Sequence, residues 1–327
     1  MPDRVLVTGG AGYIGSVVTA QLLARGFQVT VLDNLSRGNR QAVAAGAKLV
    51  TADISDRSTL DSILGGGIDA VMHFAASIEV GESMQFPETY FRNNTANALT
   101  LLESMLQHKV HRFVLSSTAA LFGIPERTPI DESAPVHPTN PYGESKLLTE
   151  KMLAWFHHSH GLRYSCLRYF NAAGAAGDQG EDHDPESHLI PLTLQVALGQ
   201  RDHISIYGTD YPTPDGSCVR DYVHVSDLAT AHLLVLDALR DKEKLIYNLG
   251  NGRGFSVREV IETARRVTKH PIPAKEAPRR AGDPGVLVAS SEKIKHELGW
   301  RPQFTDLEGI VRSAWEWRRA HPNGYAS

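Results

Sequence analysis

Residues 5–18 read VLVTGGAGYIGSVV, and this short stretch decides the fold that the sequence predicts. An apolar strand runs into three glycines, Gly9, Gly12 and Gly15, after which a helical pattern begins. Glycine allows a tight turn and close approach of the backbone to a pyrophosphate, and the helix that follows offers N–H groups and a positive dipole end. The spacing is one residue wider at its start than G-x-G-x-x-G. The stretch therefore predicts a dinucleotide-binding turn, with Tyr13 and Ile14 among its contacts.

Strand and helix patterns alternate on both sides of this turn as far as about residue 170. Four more segments are typical of buried strands: FQVTVLD, IDAVMHFAA, VHRFVLSST and LRYSCLRYF. Residues 87–108 have the pattern of one long amphipathic helix. Alternation of this kind predicts an α/β protein with a Rossmann-type, doubly wound parallel sheet. We predict a nucleotide-binding domain over residues 1–170 and a smaller, mixed α/β substrate domain over 171–327. Segments at about 219–250 are expected to return to the first domain.

Acidic residues at the ends of the predicted strands indicate which nucleotide binds. Asp33 ends the second strand, 33 − 15 = 18 residues after Gly15, close to the distance expected for an acid that binds the adenosine ribose. Its carboxylate favours NAD over NADP, because it repels a 2′-phosphate. Arg37 and Arg40 could hold that phosphate, but we interpret them as solvated loop residues. Asp53 is predicted to face the adenine, although its position near the N-cap of a helix would explain an aspartate there nearly as well.

Tyr142 and Lys146 lie at i and i+4 of a predicted helix over residues 141–160, so they share one face. Asn140 is a good N-cap residue and Pro141 suits the first helical position. An ammonium group beside a phenol, together with a positive nicotinamide ring, favours the phenolate. The pair is therefore a candidate for proton transfer with a sugar hydroxyl. Thr118, at the end of the strand VHRFVLSST, can relay that proton, because a hydroxyl both donates and accepts.

Composition excludes several other classes of protein. The chain has 327 residues, a formal net charge of −4 and no apolar run near the roughly 20 residues that span a bilayer. We therefore expect no nucleic-acid partner, no membrane partner and a cytoplasmic location, since the N-terminus lacks a signal-peptide pattern. Two cysteines, Cys166 and Cys218, cannot form a disulfide framework. His183 and His188 lie among carboxylates at no recognised metal-ligand spacing, so no metal is predicted and the segment is interpreted as a substrate-facing loop.

The chain resembles the extended short-chain dehydrogenase/reductase family, and within it the hexose 4-epimerases. The resemblance rests on TGGAGYIGS at 8–16, DNLS at 33–36, HFAA at 73–76, SSTAALFG at 116–123 and PYGESK at 141–146. The block YGTDYPTPDGSCVRDYVHV at 207–225 is the one most specific to the 4-epimerases. What this implies is inversion of the 4-hydroxyl of a UDP-hexose through a 4-keto intermediate. It also implies NAD as cofactor, a UDP-sugar-binding second domain and a homodimer packed through helices that include the one with Tyr142.

The resemblance also implies roles for individual residues. The catalytic residues are Tyr142, Lys146 and Thr118. With the glycine turn and the strand-end acids included, the predicted cofactor-binding residues are Gly9, Gly12, Tyr13, Ile14, Gly15, Asp33, Asn34, Ser36, Asp53, Ile54, Phe74, Ala75, Ala76, Asn93, Ser116, Tyr142, Lys146 and Phe170. The predicted substrate-binding residues are Thr118, Tyr142, Asn171, His188, Leu189, Tyr207, Arg220, Arg280 and Asp283. Arg220 and Arg280 make physical sense as a clamp on the diphosphate.

The residues bear on three alternative functions. Sugar nucleotide dehydratases and decarboxylases of the family need a carboxylate just after the active-site Thr or Ser, and here Thr118 is followed by Ala119 and Ala120. UDP-N-acetylglucosamine is an alternative substrate, because Leu287 is intermediate in size where the family varies between large and small residues. UDP-xylose or UDP-arabinose and UDP-glucuronate also stay open, because their 4-epimerases use the same Tyr, Lys and keto intermediate. A non-catalytic NAD(H) sensor would need the glycine turn but not Thr118, Tyr142 and Lys146 together.

Overall fold

Two compact units divide the chain in the computed structural model, which describes residues 3–280 and 283–325. Unit 1 comprises Met1–Gly123, Val136–Arg168 and Ala229–Tyr247, and unit 2 comprises Ile124–Pro135, Tyr169–Leu228 and Asn248–Ser327. Residues 229–247 therefore belong to unit 1, whereas 219–228 belong to unit 2. No sequence pattern indicated that residues 124–135 belong to unit 2. Assignment of one unit to the cofactor and the other to the substrate stays a prediction.

The strands follow the order of the apolar runs in the sequence. They are β1 (Arg4–Thr8), β2 (Gln28–Asp33), β3 (Lys48–Thr51), β4 (Ala70–His73), β5 (Arg112–Thr118), β6 (Arg163–Tyr169), β7 (Asn171–Ala173), β8 (Ile204–Tyr207), β9 (Val219–His224), β10 (Lys244–Leu249), β11 (Gly254–Ser256), β12 (Ala274–Ala277) and β13 (Val286–Leu287).

The helices, likewise in chain order, separate these strands. They are α1 (Tyr13–Ala24), α2 (Arg57–Leu64), α3 (Val80–Ser83), α4 (Pro87–Tyr90), α5 (Asn97–Gln107), α6 (Pro141–His160), α7 (Leu189–Ala197), α8 (Val225–Ala238), α9 (Val257–Thr268), α10 (Glu292–Leu298) and α11 (Leu307–Ala320).

A seven-stranded sheet forms the centre of unit 1, in the order β10-β6-β5-β4-β1-β2-β3. Strands β1 and β2, β1 and β4, β2 and β3, and β4 and β5 pair in parallel. Val5, Leu6 and Val7 of β1 are fully buried, which explains why this central strand is an uninterrupted apolar run. The strand order reverses at β1, between β2 and β4, and open α/β sheets bind ligands at such a point. The predicted doubly wound α/β fold is confirmed.

The predicted long helix over residues 87–108 is interrupted by a π-helical segment, Phe91–Ala96, between α4 and α5. Asn94 accounts for the interruption, because its buried side chain binds both the backbone and a neighbouring helix. Its Oδ1 accepts a hydrogen bond from the Ser77 amide at 2.8 Å, and its Nδ2 donates to Ser145 Oγ at 3.0 Å. π-Segments inside helices frequently mark functional sites.

Unit 2 is built on smaller sheets. Strand β9 pairs with β11 antiparallel and with β7 and β13 in parallel, and β12 pairs with β8 in parallel. Helices α7, α9 and α11 pack over a core that includes Leu194, Val260, Ile310 and Trp315. No helix in the described part of the chain is long and apolar enough to cross a bilayer.

Candidate active site

The glycine turn between β1 and α1 is packed so tightly that side chains are excluded. Gly9 has a φ of +73°, and a Cβ built on it would lie 2.5 Å from the Ala75 amide nitrogen. A Cβ on Gly15 would lie 2.3 Å from the Gly9 carbonyl oxygen. Gly12 is the N-cap residue of α1 and makes no side-chain cap, and the first N–H groups of any helix have no partner within the helix itself. This cradle fits the pyrophosphate of a dinucleotide.

Replacing Gly15 by Ala is expected to destabilise unit 1 and to reduce the NAD retained on purification. The new methyl group collides with the Gly9 carbonyl, and overpacking of this kind costs about 1–3 kcal/mol. Thermal unfolding and the NAD released on denaturation are the measurements. Gly81→Ala is the matched control, because a Cβ added at Gly81 would have no atom within 4 Å. An unchanged melting temperature and NAD content in Gly15→Ala would contradict the proposed cradle.

The strand-end acids form a connected group beside this turn. Asp33 is buried, and its carboxylate accepts hydrogen bonds from the Ala11 amide at 3.0 Å and the Leu35 amide at 2.9 Å. Burial raises the pKa of Asp33, while these two amides act in the opposite direction. Asn34 Nδ2 donates to Asp53 Oδ2 at 2.7 Å. Asp33 and Asp53 are thus linked through the loop DNLS at 33–36. We call the side chains of Asp33, Asn34, Ser36 and Asp53 the polar rim.

Several further features of the rim bear on the nucleotide. The Asn34 Oδ1 accepts hydrogen bonds from both the amide and the hydroxyl of Ser36, and Ile54 is buried. Arg40 donates to Thr51 Oγ1 at 3.1 Å, so this arginine is engaged within the protein. A Cβ on Gly38 would lie 2.9 Å from Asp33 Oδ1. Sequence reasoning did not single out Gly38, although a glycine in a loop after the ribose-binding acid was a usable signal.

The segment after β4 approaches the same turn. The amides of Phe74 and Ala75 both donate to the Thr8 carbonyl, at 2.9 and 3.1 Å, which directs residues 74–76 toward the glycines. Asn93 Nδ2 donates to Ser77 Oγ at 3.0 Å. Phe170, by contrast, belongs to unit 2, where it is buried and its amide donates to the Leu249 carbonyl.

Thr118, Tyr142 and Lys146 come together at the C-terminal end of β5. The Asn140 side chain caps α6 by accepting a hydrogen bond from the Gly143 amide at 2.8 Å, as predicted. The Thr118 hydroxyl lies close enough to the Tyr142 phenol to lower its pKa. Lys146 Nζ donates to the Ser116 carbonyl at 3.0 Å. The i and i+4 residues therefore present one phenol and one ammonium group to the end of the same strand.

The electrostatics of this group differ from the sequence expectation in one respect. Burial raises the pKa of Tyr142, and neighbouring Glu79 acts in the same direction, whereas the Thr118 hydroxyl lowers it. Burial also lowers the pKa of Lys146 to about 8, against the attraction of Glu150. The protein environment by itself therefore keeps Tyr142 protonated. The expected lowering of the Tyr142 pKa stays a prediction for the complex with a positively charged nicotinamide.

A buried ion pair supports this site and was missed by sequence reasoning. Glu150 Oε2 and Arg168 Nη2 lie 2.6 Å apart, with side chains only 6% and 8% exposed. Ser117 Oγ donates to Glu150 Oε1 at 2.6 Å. Ser117 therefore has a partner within the protein. Glu150 lies one helical turn after Lys146, a spacing that gave a weak signal for this role.

Unit 2 holds most of the residues predicted to bind the UDP-sugar. Arg220 forms an ion pair with Asp283, and the Arg280 guanidinium lies over the Tyr207 ring, 4.0 Å from its centroid. The Arg280 guanidinium beside Tyr207 lowers the pKa of its phenol. Asn171 Nδ2 donates to the Asp221 carbonyl at 3.0 Å. These contacts hold two guanidinium groups in place, each beside another predicted residue.

His188 and Leu189 mark the start of α7. His188 is the N-cap residue of that helix, and its Nδ1 lies 2.9 Å from Glu181 Oε1 and 3.0 Å from Glu186 Oε1. These carboxylates raise the pKa of His188 well above its ordinary value. Sequence reasoning placed both acids in a polar loop and did not predict that they contact this imidazole.

Known proteins are similar to this chain in sequence and in structure. The profile of the NAD dependent epimerase/dehydratase family matches residues 5–250. A UDP-glucose 4-epimerase of Halalkalibacterium halodurans is 55% identical over 99% of this chain and 98% of that protein.

Solved structures of UDP-glucose 4-epimerases are also similar to this chain over nearly its whole length. A crystal structure of a UDP-glucose 4-epimerase superposes with a TM-score of 0.97 at 50% identity, covering 99% of this chain and all of that one. The UDP-glucose 4-epimerase of Bifidobacterium longum, solved in complex with NAD⁺ and UDP, superposes with a TM-score of 0.94 at 38% identity, covering 98% of this chain and 100% of that one.

Proposed function

The chain belongs to the NAD dependent epimerase/dehydratase family, and from this we propose that it interconverts UDP-galactose and UDP-glucose by inverting the 4-hydroxyl of the hexose. The observation that carries the proposal is that Tyr142 and Lys146 lie one turn apart on α6, with the Lys146 ammonium group bound to the Ser116 carbonyl near Thr118 at the end of β5. Proton transfer needs a titratable group within reach of the hydroxyl, and this arrangement supplies one.

Tyr142 is the proton-transfer group. Its phenolate removes the proton of the sugar 4-hydroxyl, directly or through the Thr118 hydroxyl. It returns a proton after the 4-keto sugar has rotated to present its other face. When bound, NAD supplies the acceptor and the donor of the hydride at C4, so no net oxidation results. Thr118 stabilises the phenolate, because its hydroxyl lies beside Tyr142 and lowers the pKa of the phenol.

Lys146 supplies the positive charge that favours the phenolate. Its ammonium group is 2% exposed and donates to the Ser116 carbonyl at 3.0 Å, which fixes its position at the end of β5. The nearby charge of Glu150 raises its pKa against the effect of burial. In the proposed roles, the Gly9, Gly12 and Gly15 backbone binds the pyrophosphate of NAD and Asp33 binds its ribose hydroxyls.

Unit 2 binds UDP in this proposal. Arg220 and Arg280 bind the diphosphate, since guanidinium groups match phosphate oxygens in pairs. Asp283 holds the Arg220 side chain until the anion arrives. Asn171, His188, Leu189 and Tyr207 complete the predicted set. Because these residues recognise the nucleotide, the hexose itself is held less firmly and is able to rotate.

A second reaction of the family is disfavoured by the residues after Thr118. Elimination of water or loss of CO₂ needs a carboxylate at that point, and Ala119 and Ala120 lie there instead, Ala119 being buried. Another UDP-sugar as the preferred substrate, such as UDP-N-acetylglucosamine, UDP-xylose or UDP-glucuronate, is the nearest alternative. A non-catalytic NAD(H) sensor is the alternative of a different class.

A homodimer is part of the proposal. Leu99 on α5 and Trp155 on α6 are 37% and 68% exposed, which leaves apolar surface on two long helices of unit 1. Packing of these helices against a second copy would cover both side chains. A cytoplasmic location and a role in galactose metabolism also stay predictions.

The test is incubation of the purified protein with UDP-galactose and no added cofactor, followed by proton NMR. We expect UDP-glucose to form, which would support both the 4-epimerase reaction and a retained NAD. If nothing converts, the assay is repeated with added NAD and with UDP-N-acetylgalactosamine, UDP-arabinose and UDP-galacturonate. Conversion of one of these alone reassigns the substrate. No conversion of any of them, with NAD(H) bound, overturns the enzyme proposal in favour of the sensor.

A further inference from the structure

Four side chains that can bind a metal ion come together in the loop before α7: Glu181, His183, Glu186 and His188. One donor atom from each lies within 4.8 Å of the donor atoms of the other three. Nδ1 of His183 lies 3.4 Å from Glu181 Oε1, the same oxygen that lies 2.9 Å from His188 Nδ1. First-row metal ions bind such atoms at about 2.0–2.2 Å, so any two ligand atoms of a tetrahedral site are about 3.3–3.6 Å apart. Small side-chain rotations would therefore complete a coordination shell.

The buried acid of this cluster supplies an independent sign of a missing cation. The Glu186 side chain is 3% exposed, and its Oε1 accepts hydrogen bonds from the Ser187 and His188 amides. Its other oxygen, Oε2, is buried, accepts no hydrogen bond within the described residues and is directed at His183 Nδ1, 3.9 Å away. A buried carboxylate oxygen without a donor is costly. A cation between Oε2 and the imidazoles would remove this cost.

We propose that Glu181, His183, Glu186 and His188 form a site for one divalent first-row transition-metal ion of the Zn²⁺ class. Two imidazole nitrogens with two carboxylate oxygens suit such ions, whereas Mg²⁺ and Ca²⁺ prefer oxygen ligands alone. Two carboxylates balance the charge of the ion when both imidazoles are neutral. The site rests on the geometry of this loop and not on the proposed reaction.

The competing arrangement is an ion-pair cluster in which both imidazoles keep a proton. It has the same net charge as the metal complex, so the metal replaces protons on Nδ1 of His183 and His188. Metal binding by this site must therefore release protons. It also fixes the loop directly before α7, because His188 is the N-cap residue of that helix.

The experiment uses the full chain after treatment with a chelator. Zn²⁺ is titrated by calorimetry in two buffers of different ionisation enthalpy, and Co²⁺ is titrated with visible absorption as the readout. We expect one ion per chain, a heat that depends on the buffer because protons are released, and Co²⁺ absorption bands typical of nitrogen and oxygen ligands. No binding of either ion by the wild-type chain overturns the proposal and identifies the cluster as an ion-pair network.

Two separate variants locate the site. His183→Gln and Glu186→Gln each remove one ligand with little change in size, and each is expected to weaken Zn²⁺ binding by more than about tenfold. His158→Gln, at a histidine near the end of α6, is the control and should bind as the wild type does. Thermal unfolding reports whether each variant is folded, and two independent variants guard against loss of fold in one. Wild-type affinity for Zn²⁺ in a folded variant would show that the metal binds elsewhere, and it would overturn the proposed site.

Discussion

Replacing Tyr142 by Phe is expected to lower kcat for UDP-galactose by about 10²–10⁴, because loss of a positioned proton-transfer group has an effect of that size. The phenol is half-buried and lies beside Thr118, at the end of β5 that the Lys146 ammonium group also contacts. Phe keeps the ring and its packing, so that only the titratable hydroxyl is removed. Initial rates measured by proton NMR, with NAD content determined on the same samples, give the result.

Tyr90→Phe is the matched control for this substitution. The Tyr90 ring packs edge-on against Tyr142, with centroids 6.4 Å apart, but its hydroxyl donates to the Glu79 carbonyl and the Glu82 carboxylate. We expect a loss of less than about tenfold, because that hydroxyl is engaged away from the proposed reacting atoms. A Tyr142→Phe protein that is folded, retains NAD and works within about tenfold of the wild type would show that another group moves the proton.

Replacing Glu150 by Gln is expected to destabilise the protein by about 3–5 kcal/mol, since it leaves the Arg168 guanidinium buried without a counter-charge. Ser117 would also lose its charged acceptor. Chemical unfolding measures the loss. Glu150→Leu combined with Arg168→Met is the control, because removing both charges avoids the unpaired ion and should restore much of the stability. A Glu150→Gln protein as stable as the wild type would contradict this account of the ion pair.

The same substitution is expected to move the alkaline limb of the pH profile. Burial lowers the pKa of Lys146 to about 8, and the charge of Glu150 holds it from falling further. Without that charge, Lys146 loses its proton at lower pH, and activity that depends on the ammonium group falls at lower pH too. A purely structural effect of Glu150→Gln would lower the rate at every pH alike. The pH dependence of kcat therefore separates electrostatic support of Lys146 from loss of fold.

Local patterns in the sequence were sufficient to predict the sheet and the start of each site element. The glycine turn, Asp33 at the end of β2 and the Asn140 cap of α6 depend on residues close together in the chain, and turn and capping rules apply to such residues. The π-helical segment was not predictable in this way. It depends on where Asn94 finds partners, and Ser145 lies far along the chain.

The supporting contacts of the site were missed for the same physical reason. Glu150 and Arg168 lie on α6 and β6, and only the packing of that helix on the sheet brings their charges together. The four side chains proposed as ligands before α7 were interpreted as part of a substrate-facing loop, because their spacing matches no helical or knuckle pattern. A loop brought Glu181 and His188 within 2.9 Å, and loop geometry follows from no short sequence rule.

The discontinuous make-up of unit 1 has a consequence for how the protein is made. Its sheet ends at β10, next to β6, and β10 is encoded only at Lys244–Leu249, after residues 124–135 and 169–228 of unit 2. The chain is synthesised from its N-terminus, so β6 is complete before β10. Until β10 has been synthesised, one edge of β6 has unpaired N–H and C=O groups. During that interval the nascent chain is most exposed to wrong strand pairing. A gene fragment that stops before residue 244 inherits that open edge permanently, so dividing the gene at a single point cannot yield the sheet as a separate piece.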